Sequence, residues 1–117
     1  MRHDRLRLDD ILEAIGLIEE FLQGKSRHDL DTDRMLQSAL LHQLVLIGES
    51  ANAVSDSIKN KYTHIPWKVI YGFRNHIAHE YFSLDIDIVW NTLVGDVPKL
   101  KEQVSEIIHK EFGPKKD

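Results

Sequence analysis

The 117-residue sequence contains no cysteine, only three prolines and no long uninterrupted apolar run. Without cysteine there is no disulfide, no thiol nucleophile and no thiolate metal site, and the composition fits a reducing compartment. No segment approaches the roughly 18 apolar residues that span a bilayer, and no apolar signal core follows the basic N-terminus. We therefore expect a cytoplasmic protein that is neither exported nor embedded in a membrane.

Acidic side chains are missing from one long stretch of an otherwise acidic chain. The formal net charge is −4, yet residues 57–79 contain no Asp or Glu. The cations of this stretch are Lys59, Lys61, Lys68 and Arg74. Because phosphate binding needs a local positive potential, the pattern indicates a basic region that suits a nucleic-acid partner. A chance distribution of charges in a short chain is the alternative.

Helical periodicity runs through most of the chain, and no alternating strand pattern competes with it. The composition is 42% hydrophobic and 29% charged, which predicts one folded domain over residues 1–117 with a flexible tail at about 113–117. The predicted fold class is all-α. We expect an up-and-down bundle of four long helices, the last of which is kinked or split in two at Gly95 and Pro98.

Polar or proline-containing segments separate the four predicted helices. The first has apolar residues at helical spacing over residues 8–22 and ends near Gly24. A polar connection, GKSRHDLDTD, precedes the second, at about residues 33–59. Pro66 favours the start of the third, which runs to near residue 81. The fourth begins near Asp87.

The centre of the second helix, ALLHQLVLIG, is apolar over more of its circumference than one core-facing stripe requires. Leu40, Leu44 and Ile47 form one row, whereas Leu41, Val45 and Leu46 point elsewhere. Such a helix packs on two sides. Its second partner is either another helix of the same bundle or a second copy of the chain.

The third helix carries an unusually polar stretch, FRNHIAHEYF, at residues 73–82. On a helical wheel at about 100° per residue, one arc of about 80° holds the apolar residues that form the predicted core stripe. These are Ile70, Phe73, Ile77 and Tyr81. The opposite side holds a predicted polar groove, where Gly72 leaves room for a ligand. Its members are Lys68, Gly72, Asn75 and His79.

Arg74 lies at the edge of the apolar arc, where a guanidinium has to be paired or has to reach solvent. His79 follows it by five positions, which places the two side chains about 140° apart on an ideal helix. Either the helix ends or distorts near His79, or the two groups combine with those of a second subunit. The spacing favours a site completed across a dimer.

Arginine, histidine and asparagine together suit a reaction at phosphate. Arginine binds a phosphodiester through two N–H donors, and an imidazole, which titrates near about 6.5, serves as general acid or base. Cleavage of RNA through its own 2′-hydroxyl needs no further nucleophile. A purely structural role for an arginine and a histidine on one helix is the alternative.

The segment RNHIAHEY resembles the R-x4-H-x-Y pattern of the HEPN superfamily, and in particular of its HepT-like toxins. The segments LIGESANAVSD, IPWKVIYGFRNHIAHEYFSLDIDIVW and DVPKLKEQV are also similar to this family, so the resemblance covers about residues 36–108. It implies a dimeric bundle of four to five helices with two R-x4-H motifs in one cleft. It also implies a metal-independent endoribonuclease.

By position, the resemblance implies that Arg74 binds the scissile phosphate, His79 acts as acid or base, and Asn75 orients the site. Glu49 matches a position where an acidic residue supports the motif helix. It is also the single acid between Asp33 and Asp56. Glu49 is therefore a candidate partner of Arg74, with a solvent-facing or capping carboxylate as the alternative.

The resemblance also implies a protein partner, an MntA-like nucleotidyltransferase antitoxin that transfers AMP from ATP to Tyr81. We expect RNA as substrate with Lys68 and His76 as further contacts, a homodimer that can join a larger complex with the antitoxin, and no cofactor. A metal site at His76, His79 and Glu80 is one alternative. A non-catalytic nucleotide-binding or adaptor module that docks a nucleotidyltransferase is another, and a purely structural dimerising bundle is a third.

Overall fold

The computed structural model describes residues 2–79 and 84–113, with side chains at all of these positions except 2, 78 and 79. Within these ranges there are seven α-helices and no strand, which confirms the all-α prediction. The helices are α1 (Arg2–Leu22), α2 (Arg27–Thr32), α3 (Arg34–Ala53), α4 (Asp56–Lys61), α5 (Trp67–His79), α6 (Ile86–Asn91) and α7 (Val97–Phe112). None of the described helices has the length and apolar character needed to cross a bilayer. Residues 114–117 of the predicted tail lie outside the described ranges.

α3 is the central helix of the bundle, with α1 on one side and α5 on the other. α7 packs against α1, and α2 contacts both α3 and α6. Leu40, Leu44 and Ile47 are buried, and Val45 packs against the same core. The helices of its own bundle therefore account for most of the wide apolar surface of α3, whereas Leu46 is 38% exposed.

The prediction of one helix over residues 33–59 is wrong at its C-terminal end. α3 ends at Ala53, Val54 is extended with φ −64° and ψ 142°, and Ser55 caps the separate helix α4. Asp4 of α1 holds this break in place. Its Oδ1 accepts from the Ser55 backbone N–H at 2.8 Å and its Oδ2 accepts from the Ser55 hydroxyl at 2.6 Å. A contact between residues so far apart in sequence leaves no trace in local periodicity.

We expect Asp4→Asn to lower the free energy of unfolding by about 2 kcal/mol, because Asp4 is a buried carboxylate that accepts two hydrogen bonds. Burial acts to raise the pKa of Asp4, but the hydrogen bonds from Ser55 outweigh it and hold the pKa below its ordinary value. A carboxyl group with a lowered folded-state pKa stabilises the fold above its unfolded pKa, and that stabilisation disappears as pH falls through the folded pKa. Urea unfolding at neutral and acidic pH should therefore show a difference between wild type and variant that shrinks in acid.

Asp9→Asn is the matched control for this measurement. Asp9 lies on the same helix, in an exposed pair with Arg5 at 3.3 Å. An exposed pair of this kind contributes less than about 1 kcal/mol. Equal losses for the two variants at neutral pH would refute the role given to Asp4.

The connection predicted before the second helix also contains a helix. Ser26 begins α2 with a capping box, in which its hydroxyl accepts from the Asp29 N–H at 3.3 Å and the Asp29 carboxylate accepts from the Ser26 N–H at 2.8 Å. The signal was present in the sequence, since a serine followed three residues later by an acid favours a helix start. The residues around Ser26 are mostly polar, which is typical of a connection, and the segment was therefore predicted as one.

The predicted kink in the last helix is a π-helical segment, Thr92–Asp96, between α6 and α7. The Val97 N–H donates to the Thr92 carbonyl, five residues earlier. Pro98 follows directly and has no N–H to continue an ordinary helical ladder, so a wider turn fits here. The chain keeps helical dihedral angles at Thr92 and Val97, so the helix continues through this segment and is not split.

Candidate active site

α5 divides into a core face and an exposed face, as the helical wheel predicts. Ile77 is buried, and Ile70 and Phe73 pack against the core, which places this stripe toward the rest of the bundle. The exposed residues of the other face include Lys68, Gly72, Asn75 and His76. The fourth member of the predicted stripe, Tyr81, lies outside the described residues.

Arg74 lies at the boundary of the two faces, with 27% of its side chain exposed. Its Nη2 donates to Glu49 Oε1 on α3 at 3.0 Å, and its Nη1 donates to Asn75 Oδ1 at 3.4 Å. The guanidinium carbon lies 6.0 Å from the ring centroid of Tyr71, within range of a cation–π contact. The ion pair suggested by the position of Glu49 in the sequence is present. Since a half-exposed pair contributes less than about 1 kcal/mol to stability, its main effect is to orient the guanidinium.

Gly48 allows α3 and α5 to approach closely at Arg74. A Cβ atom built on Gly48 would lie 2.4 Å from Arg74 Cβ, 3.1 Å from Arg74 Cγ and 3.2 Å from the Ile70 carbonyl oxygen. A contact of 2.4 Å between two Cβ atoms does not occur in proteins, so a side chain at position 48 would force α5 away from α3. The close approach brings the neighbouring Glu49 within reach of Arg74.

The sequence reasoning missed both Gly48 and Tyr71. Tyr71 could have been found, because residues three apart on a helix are neighbours and Tyr71 precedes Arg74 by three. Gly48 could not, because its partner is distant in the chain. Its own helix contains no turn or positive φ that calls for glycine.

The guanidinium of Arg74 keeps hydrogen-bonding capacity. It has five N–H donors, and in the described part of the chain Glu49 and Asn75 account for two of them. Its Nε is buried and has no partner there. An oriented guanidinium with donors to spare can bind a phosphodiester and neutralise its charge.

α5 is described as far as His79, and residues 80–83, which follow it, lie outside the described ranges. The sequence set two alternatives under which Arg74 and His79 could act together, a helix end or distortion near His79 and a partner subunit. Both stay predictions.

Comparison with known proteins identifies the family of the chain. The family described as Ribonuclease HepT-like matches residues 11–107, from α1 into α7. The chain belongs to the HepT-like ribonuclease family. Its enzyme class is therefore ribonuclease, with RNA as the class of substrate.

Relatives of this HepT-like chain come from archaea and bacteria. A protein of Methanocaldococcus jannaschii, named as a gamma-glutamylcyclotransferase and candidate RNase, is 37% identical over 109 residues, which are 92% of this chain and 49% of the relative. The chain thus spans about half the length of that relative. A candidate RNase of Caldanaerobacter subterraneus subsp. tengcongensis is 34% identical over 111 residues, 95% of this chain and 99% of the relative. A "Probable ribonuclease HepT" of Thermococcus cleftensis is 34% identical over 100 residues, 86% and 91% of the two chains. No solved structure matches the chain.

In the folded HepT-like chain, acids from other helices neutralise part of the positive charge of residues 57–79. Lys61 Nζ pairs with Glu111 Oε2 of α7 at 2.9 Å, just as Arg74 pairs with Glu49. The Tyr62 hydroxyl also donates to Glu111, at 2.6 Å, and this hydrogen bond raises the pKa of Tyr62 to about 12. Distant acids therefore neutralise two of the four cations, while Lys68 stays exposed on the face of Asn75.

In the ranges that the structure describes, no three His, Asp or Glu side chains lie close enough together to hold a metal ion. His76, a member of the metal site considered from the sequence, is exposed and its ring stacks on Phe73 with centroids 6.4 Å apart. The other two members, His79 and Glu80, have no described side chain. That arrangement stays an alternative.

Proposed function

We propose that this HepT-like chain is the toxin of a toxin–antitoxin pair and a metal-independent endoribonuclease with an arginine–histidine site. The observation that supports the proposal best is the oriented guanidinium of Arg74. Glu49, Asn75 and Tyr71 hold it at the border of an exposed helix face. Such a group can bind the scissile phosphate, while the RNA supplies its own 2′-hydroxyl as nucleophile.

In the proposed reaction the 2′-oxygen attacks phosphorus and the bond from phosphorus to the 5′-oxygen breaks. One imidazole accepts the proton of the 2′-hydroxyl, and a protonated imidazole gives a proton to the leaving 5′-oxygen. The products are a 2′,3′-cyclic phosphate and a 5′-hydroxyl. Arg74 neutralises the charge on the non-bridging oxygens, and Asn75 orients Arg74. A dimer with two copies of His79 in one cleft would supply both imidazoles.

The exposed face of α5 is the proposed path of the RNA strand. Lys68 and His76 are exposed on it together with Gly72. Lys68 would contact a flanking phosphate as a point charge, and His76 would be a second contact. Light scattering of the active protein tests the dimer, since a strict monomer with full activity would contradict a site shared between subunits.

Toxicity and RNA cleavage test the proposal together. Induction of the wild-type chain in a bacterial cell should arrest growth, and induction of Arg74→Ala or His79→Ala should not. The purified wild type should cleave RNA in the presence of EDTA and leave cyclic phosphate ends. If all three proteins are equally harmless and RNA stays intact, the ribonuclease proposal fails and an adaptor module takes its place.

Regulation by an MntA-like nucleotidyltransferase predicts a covalent change at Tyr81. Its hydroxyl oxygen would attack the α-phosphate of ATP, lose its proton and release pyrophosphate. Tyr81 follows Arg74 by about two helical turns, so the added phosphate would compete with RNA for the guanidinium. Intact-mass measurement after co-expression should show AMP-sized increments that Tyr81→Phe abolishes. Tyr71→Phe is the matched control, and loss of the increments in that variant instead would place the modification elsewhere.

A further inference from the structure

A groove of about 530 Å³ between α1 and α3 adjoins the Arg74 site. Glu49, the ion-pair partner of Arg74, forms part of its wall, so the groove and the site share one side chain. α3 also contributes Gln43 and Leu46, and α1 contributes Arg7. A ligand bound in the groove would therefore lie next to a phosphate bound by Arg74.

Two side chains that line this groove each have a buried polar atom without a partner among the described residues. Gln43 is only 7% exposed, and its Oε1 accepts no hydrogen bond from any described residue. The Nε of Arg7 is also buried and finds no acceptor in the described part of the chain. Because buried polar groups in proteins are almost always hydrogen-bonded, an acceptor and a donor left over in one groove indicate a ligand that offers both.

The charges of the groove select against phosphate as that ligand. The groove is lined by three carboxylates, those of Asp10, Glu13 and Glu49, and by one guanidinium, that of Arg7. Arg7 Nη1 lies 3.8 Å from Asp10 Oδ2. The excess of acceptors favours a ligand that donates hydrogen bonds. Leu46, itself 38% exposed, offers an apolar surface to a flat ring.

We propose that this groove is a nucleobase subsite that prefers bases with an exocyclic amino group over uracil. The inference rests on the proposed function, which makes RNA the substrate. Adenine, guanine and cytosine each carry an amino donor, whereas uracil presents a carbonyl acceptor at the position where cytosine has its amino group. Because neither atom is accessible in the unliganded fold, both side chains turn toward the groove on binding. The amino group then donates to Gln43 Oε1, the Arg7 Nε–H donates to a ring nitrogen or carbonyl oxygen, and the ring lies against Leu46.

Binding of nucleosides tests the subsite apart from catalysis. Adenosine, cytidine and uridine are titrated separately into ¹⁵N-labelled protein, and the Leu46 backbone amide and the Gln43 side-chain amide are followed by NMR. Adenosine and cytidine should bind about tenfold more tightly than uridine. Gln43→Leu should reduce this ratio to about one. Gln103→Leu, a partly buried glutamine on α7 outside the groove, should leave it unchanged.

A second variant keeps the test decisive if Gln43→Leu does not fold. Glu13→Gln removes the negative charge of a carboxylate that lines the groove and should lower the affinity for adenosine and cytidine. Equal affinity of the wild type for all three nucleosides, or an unchanged preference in the variants, overturns the subsite. RNA cleavage without base-selective binding overturns the subsite alone. Base-selective binding without RNA cleavage overturns the proposed activity and keeps the subsite.

Discussion

Arg74→Ala is expected to lower kcat/KM for RNA cleavage by about 10³-fold, because removing a positioned donor at a reacting centre typically costs 10²–10³-fold. The fold should survive. The ion pair of Arg74 with Glu49 is 27% and 49% exposed on its two sides, and pairs of this kind contribute less than about 1 kcal/mol. A large loss of activity with a small loss of stability would separate a role in the reaction from a role in folding.

Conservative variants show which property of Arg74 matters. Arg74→Lys keeps the charge but cannot bind two oxygens in one plane, so we expect it to recover only part of the lost rate. Glu49→Gln keeps an acceptor for Nη2 without its charge and should lower kcat by about tenfold through looser orientation of the guanidinium. Initial rates on a short RNA, measured with EDTA present, give all three values. Full activity of Arg74→Ala at saturating RNA would refute phosphate binding by this residue.

The sequence predicts those parts of the site that depend on one helix. The apolar positions of α5 recur at helical spacing, so Phe73 and Ile77 define its core face and leave Asn75 on the other. Arg74 then has to find a partner, because a guanidinium at the border of a core is costly without one. Glu49 was recognisable as that partner because it is an isolated acid in an apolar helix.

The sequence does not predict the parts that join distant segments. The end of α3 depends on Asp4, which is 51 residues from Ser55 and binds it from another helix. Lys61 looked like a free cation because its acid, Glu111, lies on α7. Gln43 falls within an apolar run, and only the packed bundle shows that its Oε1 is buried without a partner in the described residues.

Gly48→Ala is expected to damage stability and activity together. The new methyl group would meet Arg74 Cβ and the Ile70 carbonyl oxygen, and neither can move without displacing α5 from α3. Overpacking of this kind costs about 1–3 kcal/mol, here against the higher helix propensity of alanine. The displacement also separates Glu49 from Arg74. Since a shift of about 1 Å at a reactive group can cost 10²-fold in rate, we expect a fall in kcat of that order.

Gly16 is the matched control and Gly72 is a second comparison, because a Cβ atom built on either meets nothing within 4 Å among the described residues. Gly16→Ala on α1 should raise the free energy of unfolding by up to about 1 kcal/mol and leave cleavage unchanged. Gly72→Ala should be stabilising as well, but it puts a methyl group on the face proposed to receive RNA, so KM should rise while kcat stays the same.

Urea unfolding and steady-state kinetics on the Gly48→Ala, Gly16→Ala and Gly72→Ala variants therefore distinguish an effect on packing from an effect on RNA binding. Packing against α5 accounts for the glycine at position 48, and we expect binding of RNA to account for the glycine at position 72. An unchanged KM in Gly72→Ala would move the RNA path off this face without affecting the conclusion about Gly48.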